Sequence, residues 1–92
     1  IAVYILASRP NGTLYISVTS DLPKRIYEHR EGITKGFTTQ YGVKTLVHYE
    51  RYADMPTALH REKRLKKYTR AAKITLIQST NPAWRDLYPD IL

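Results

Sequence analysis

Ninety-two residues with a 42% apolar share can form one domain around one core, expected to span residues 1–92, and exclude a disordered chain. The absence of cysteine excludes disulfides and thiolate metal sites and suits a cytoplasmic location. The longest apolar run, Ile1 to Ala7, is far too short for a membrane span and has no basic leader, so no membrane partner is expected.

In chain order, "AVYILA" followed by "RPNGTLYISVT" reads as a β-hairpin, with Asn11-Gly12 as the turn. If those two residues are central, paired positions sum to 23, so Leu6 faces Ser17. Period-two alternation then gathers Val3, Ile5, Ala7, Leu14, Ile16 and Val18 on one apolar face, expected to be core. Tyr4, Leu6, Ser8, Thr13, Tyr15, Ser17 and Thr19 share the other. A one-residue slip would mix the faces and separate the two tyrosines.

A helix follows, with Ser20 or Asp21 as N-cap, Pro23 in the first turn and Gly32 as the stop. Leu22 and Ile26 face inward, and Arg25 and His29 share an adjoining stripe. "GITKGFTTQYG" reads as a loop with at most one helical turn. "VKTLVHYERY", Val43 to Tyr52, is β-branched and aromatic and reads as a third strand. Asp54 caps a helix that runs to about Tyr68, with Pro56 in its first turn. A last helix, about Arg70 to Ser79, buries Ile74 and Ile77. The end, "NPAWRDLYPDIL", is irregular, with Trp84 to pack down. The order is β-β-α-β-α-α, an α/β (α+β) fold with a small three-stranded antiparallel sheet flanked by helices.

The net charge of +7 and the pI near 9.8 are unevenly distributed. Arg61, Lys63, Arg64, Lys66, Lys67, Arg70 and Lys73 are seven of the fifteen basic residues, within thirteen positions. Such a stripe attracts phosphate polyanions by counterion release. The plainer account is a solvated helix face.

Phosphodiester hydrolysis needs a nucleophilic water, a group to take its proton and positive charge for the transition-state oxygens. Tyr4 and Tyr15 lie on one hairpin face, beside a strand end that leads to Arg25 and His29. Tyrosine is a poor base at its usual pKa of ~10 unless a cation favours the phenolate. Arg25 can clamp a phosphate in bidentate fashion, and His29 can relay a proton or orient a tyrosine. Glu62 stands alone in the basic stripe. It can pair with Lys66 one turn on, or serve as a single oxygen ligand for Mg²⁺. Phosphate-loop, dinucleotide, paired-histidine zinc and serine-elbow motifs are absent.

"VYI" and "LYIS" in a short hairpin, then "DLPKRIYEHREG", then "ALHREKRLK", and a tail with "NPAWRDL", resemble the GIY-YIG nuclease domain of the small stand-alone bacterial type. The two signature triads correspond to Ala2-Val3-Tyr4 and Tyr15-Ile16-Ser17. The resemblance implies a DNA phosphodiester hydrolase using one divalent metal, Mg²⁺ or Mn²⁺. It implies Tyr4 and Tyr15 as the signature tyrosines, one assisting as general base. Arg25 would brace the phosphate, with His29 beyond it, Glu62 would be the metal ligand, and Asn81 would be the family's late asparagine. An Asn before Pro is also an ordinary turn residue. The second triad ends in Ser17 where the family has glycine, so a side chain points toward the implied site. The expected function is a metal-dependent DNA endonuclease, with Arg61, Lys63, Arg64, Lys66, Lys67 and Arg70 on DNA or RNA. The alternatives are an inactive nucleic-acid-binding module of the same fold and a domain whose basic stripe meets an acidic protein. Oligomeric state is open.

Overall fold

A computed structural model describes all residues, 1–92. Its elements are β1 (Ala2–Ala7), β2 (Leu14–Thr19), α1 (Leu22–Arg30), a single turn α2 (Phe37–Gln40), β3 (Thr45–Arg51), α3 (Met55–Lys66) and α4 (Arg70–Thr80), followed by a 3₁₀ turn at Tyr88–Ile91. Setting α2 and the last turn aside, this is the expected β-β-α-β-α-α order. The antiparallel sheet runs β2-β1-β3. The third strand is shorter at both ends than the Val43–Tyr52 expected from sequence. No helix is long and apolar enough to cross a membrane.

The sheet order puts β1 in the middle, and all six of its residues are buried. One face joins Val3, Ile5, Ala7 and Ile16 to Ala58, Leu65, Ile77 and Trp84 from the long C-terminal helices and the tail. The other joins Tyr4 and Leu6 to Leu22 and Ile26 of α1, with Val43, Leu46 and Ile91. The tyrosine face is therefore a second core. A strand covered on both sides needs apolar residues at every position, which is why "AVYILA" does not alternate.

The hairpin turn is tighter to Pro10 than expected. Gly12 N–H donates to the Arg9 carbonyl at 2.9 Å, so Pro10 and Asn11 are the central pair, with Asn11 at φ 57°. Ala7 faces Leu14 and Tyr4 faces Ser17, a sum of 21 rather than 23. Proline explains the shift. An Asn11-Gly12 turn would need Pro10 to donate an N–H to Thr13, and it has none. Ser8 closes the ladder instead, donating to the Thr13 carbonyl at 3.0 Å. A two-residue slide conserves parity, so both faces keep their expected members. It also brings Ser17 directly opposite Tyr4.

α1 starts at Asp21, whose carboxylate accepts from Lys24 N at 3.3 Å. It ends through Gly32 at φ 70°, with Ile33 N–H reaching back to the Glu28 carbonyl at 3.0 Å. Asp54 caps α3 by accepting from Thr57 N at 2.8 Å, and Thr69 caps α4 by accepting from Ala72 N at 3.1 Å. Asn81 is buried and bound on three sides. Its amide donates to the carbonyls of Val47 (3.2 Å) and Arg85 (2.8 Å), and its oxygen accepts from Arg85 N at 3.0 Å. The tail is thereby tied to β3.

Between β3 and α3, Glu50 accepts from Arg61 Nε at 2.8 Å and Nη2 at 3.1 Å, and from Tyr52 at 2.7 Å, and it pairs with His48 at 2.8 Å. Burial alone would push its carboxyl up. The Arg61, His48 and Tyr52 hydrogen bonds more than offset this and hold it at about 2. The ordinary value of 4.5 lies above the folded one, so on acidification the unfolded chain takes up the proton first. The contribution, about 3 kcal/mol, is complete above pH ~4.5 and lost as pH falls through ~2. Urea unfolding of Glu50→Gln is expected to show lower stability than wild type at pH 7 and a flatter decline toward pH 3; parallel curves would contradict this account.

Candidate active site

Hairpin parity and one side of α1 bring four side chains together. Tyr4 lies at the centre of β1 and is fully buried. Its phenol oxygen is 3.0 Å from His29 Nε2. The Tyr15 ring, half-buried on the edge strand, completes a triangle: 6.5 Å from Tyr4 and 5.7 Å from His29, with Tyr4 and His29 also 5.7 Å apart, centroid to centroid. Arg25 lies one turn before His29 and holds Glu28 at 3.3 Å. Burial raises the Tyr4 pKa; the Ser17 hydroxyl and the Arg25 guanidinium pull it back only in part. The phenol therefore keeps its proton near neutrality. Burial works against the Arg25 charge too, yet the Tyr4 phenol and Glu28 carboxylate more than compensate and raise its pKa.

His29 is 3% exposed. Burial first, and the Arg25 charge second, lower its pKa to about 4, against an upward pull from Glu28. A neutral imidazole carries one proton. Its Nδ1 lies 3.2 Å from both the Thr38 and Thr34 hydroxyls, which are themselves 3.4 Å apart. With the proton on Nδ1, His29 donates to a threonine and accepts from Tyr4. With it on Nε2, His29 donates to Tyr4 and accepts from a threonine. Either tautomer leaves both ring nitrogens paired without moving a heavy atom.

Sequence reasoning missed Thr34, Thr38 and Phe37. All three fall in the stretch read as a loop, where no period marks an inward face. The four-residue spacing of Thr34 and Thr38, facing the helix that carries His29, was the only signal.

α3 packs across β2 and β1. The Glu62 side chain is only 12% exposed and meets exposed Lys66 at 3.6 Å, the pairing its spacing allowed. No group of three or more His, Asp or Glu side chains gathers anywhere in the structure. A metal held by Glu62 would have waters and phosphate oxygens completing its shell. A shielded carboxylate with one long, solvent-facing partner fits that mode of Mg²⁺ binding. One turn further, Lys66 joins Tyr15, Leu14, Ile16, Phe37 and Lys73 around an open pocket of about 400 Å³ at the β2 edge.

The basic stripe divides. Lys63, Arg64, Lys66 and Lys67 are exposed on α3 or just beyond it. Arg61 is engaged by Glu50 and by the Tyr68 hydroxyl at 3.3 Å. Arg70 donates to the Asn11 and Gly12 carbonyls at 2.6 and 2.7 Å, pinning the hairpin turn. These two arginines, expected on nucleic acid, also brace the fold. Asn81, expected as possible site lining, likewise has its amide committed to backbone.

If the Arg25 charge helps hold His29 neutral, Arg25→Gln should raise the imidazole's titration midpoint above about 4. Burial should still keep it below the ordinary 6.5. Histidine ring NMR across pH 3–8 measures this, and an unchanged midpoint would remove Arg25 from the account.

The GIY-YIG catalytic domain model matches residues 1–75. A UPF0213 protein of Clostridium perfringens is 38% identical over 77 residues, covering 84% of this chain and 82% of that protein. A UPF0213 protein of Staphylococcus epidermidis is 34% identical over 76 residues, covering 83% and 92%. One of Halobacterium salinarum is 34% identical over 74 residues, covering 80% and 95%. No solved structure matches the chain significantly. Matched along most of its length, the chain belongs to the GIY-YIG catalytic-domain family, whose members are typically nucleases.

Proposed function

We propose that this chain is a divalent-metal-dependent endonuclease that hydrolyses phosphodiester bonds in DNA. The observation that carries the reading is the buried Tyr4–His29 pair with Tyr15 and Arg25 against it, beside an edge pocket flanked by lysines. Tyr15 is the tyrosine within reach of a ligand, so it orients or deprotonates the attacking water. Tyr4 keeps its proton and works through His29. Arg25 braces the phosphate oxygens, where a fixed, permanently charged fork stabilises charge that grows in the transition state. Glu62 would hold Mg²⁺ or Mn²⁺, which when bound supplies Lewis acidity to the scissile phosphate and lowers the pKa of water. The new bond joins the water oxygen to phosphorus. The bond from phosphorus to the leaving sugar oxygen breaks, and that oxygen takes up a proton. Lys63, Arg64, Lys66 and Lys67 give the electrostatic approach surface.

One observation favours a second reading, a nucleic-acid-binding module without turnover. Ser17 sits directly opposite Tyr4, and its hydroxyl bears on the phenol. Glycine there would remove that hydroxyl from the phenol's surroundings.

Supercoiled plasmid with Mg²⁺ or Mn²⁺ is expected to be nicked. Glu62→Ala and Arg25→Ala are each expected to lose about 100-fold in rate, the usual effect of removing one transition-state stabiliser. Equal nicking by wild type and Glu62→Ala would sink the assignment. Ser17→Gly separates the two readings: salt-dependent binding without cutting, converted to cutting by the glycine, would favour the binding module for the natural chain.

A further inference from the structure

Ile33, Phe37 and Tyr41 are 59%, 46% and 53% exposed, three of the six large apolar side chains left in solvent. Apolar exposure is therefore concentrated on one short segment, and that segment adjoins the site. α2 is held by its inward residue. Thr38 is buried, with its hydroxyl on His29 Nδ1 at 3.2 Å, and its carbonyl accepts from Val43 N at 2.9 Å. With Thr38 fixed, Phe37 and Tyr41 are displayed outward. The two rings lie 4.7 Å apart, and Phe37 stacks on Tyr15 at 6.2 Å with 23° between planes. An aromatic row thus runs from the Tyr4–His29–Tyr15 cluster out to solvent. Lys66 and Lys73 line the same pocket as Tyr15 and Phe37.

Two aromatic rings and two lysines around one pocket of about 400 Å³ have the chemistry that a nucleotide's base and phosphate would meet. In a duplex the base faces are already stacked on each other, so only an unpaired base can lie on such rings. The geometry points to Phe37 and Tyr41 as a stacking platform for unpaired nucleobases next to the phosphate that Tyr15 and Arg25 address. This rests on the nuclease reading and narrows its ligand: a strand with unpaired nucleotides is held in preference to continuous duplex. The lysines hold the backbone, and the aromatics select for an open strand without reading its sequence.

Binding without turnover separates this inference from the nuclease reading. Fluorescence anisotropy in EDTA compares a labelled single-stranded oligonucleotide with the duplex of the same sequence, at fixed salt. Wild type is expected to favour the single strand. Phe37→Leu and Tyr41→Leu keep apolar bulk and lose the extended ring face. Each is expected to weaken single-strand binding about tenfold while moving duplex binding less than about twofold. Lys73→Ala is expected to weaken both and to shallow the salt dependence by about one ionic contact. A 2-aminopurine in the strand should be quenched by wild type and less so by Phe37→Leu. Circular dichroism confirms that the variants fold. Unchanged single-strand affinity in both leucine variants would overturn the platform and leave the nuclease reading standing. Equal losses on strand and duplex would do the same. So would self-association of wild type that the leucine variants abolish without loss of strand affinity, since the aromatic row would then be a contact between copies of the chain. No binding of any nucleic acid at low salt would overturn both.

Discussion

The bond between the Tyr4 phenol and His29 is the constraint that orders the rest of the molecule. Both groups sit inside an apolar cluster with almost no access to water. Left unpaired, each would cost roughly 1–3 kcal/mol, so they must satisfy one another. That fixes how α1 lies on the hairpin. The second imidazole nitrogen then needs a partner, which Thr34 and Thr38 supply from the following segment. Thr38 can do so only if its turn is oriented inward, and that leaves Phe37 and Tyr41 outside. A single buried polar pair thus sets the position of a helix, the path of a loop and the exposure of an aromatic row.

The charges are divided by chemistry. Asp21 and Asp54 cap helices. Glu28, Glu50, Glu62, Asp86 and Asp90 each face a cation. In four of those five pairs the cation is arginine, whose planar fork suits fixed geometry. Arg70 also binds backbone. The acids and arginines are thus largely consumed in bracing the fold, and the +7 excess is left chiefly on exposed lysines. Lysine is a mobile, hydrated point charge, suited to a polyanion whose phosphates need no fixed register.

What could be read from sequence follows the range of the interaction. Face membership in the hairpin depends on a period of two, so Tyr4 and Tyr15 on one side were legible even though the register was not. The register turned on one missing N–H at Pro10. Helix limits were legible at Asp21, Gly32 and Asp54, where capping is local. The 33–42 segment was not, because Thr34, Thr38 and Phe37 gain their meaning only from His29 and Tyr15, which are distant elements. The bracing role of Arg61 was not legible for the same reason. Its partner Glu50 is eleven residues away on another element, and no helical spacing connects them. The burial of the tyrosine face was not anticipated, although "AVYILA" has no strongly polar position to turn toward solvent.

The site is therefore built in two layers that answer differently to change. The inner layer, Tyr4 and His29, is also core, and in a chain of this size the core has little stability to spare. Removing the Tyr4 hydroxyl would strand an imidazole nitrogen as well as alter any chemistry, so its loss reports on fold and function together. The outer layer, Tyr15, Phe37, Lys66 and Lys73, lies around the edge of β2, where side chains carry less of the packing. On the nuclease reading, this division suits the task. The inner pair holds its hydrogen bond in a rigid, water-poor frame. The outer residues meet a substrate whose bases and phosphates must enter and leave.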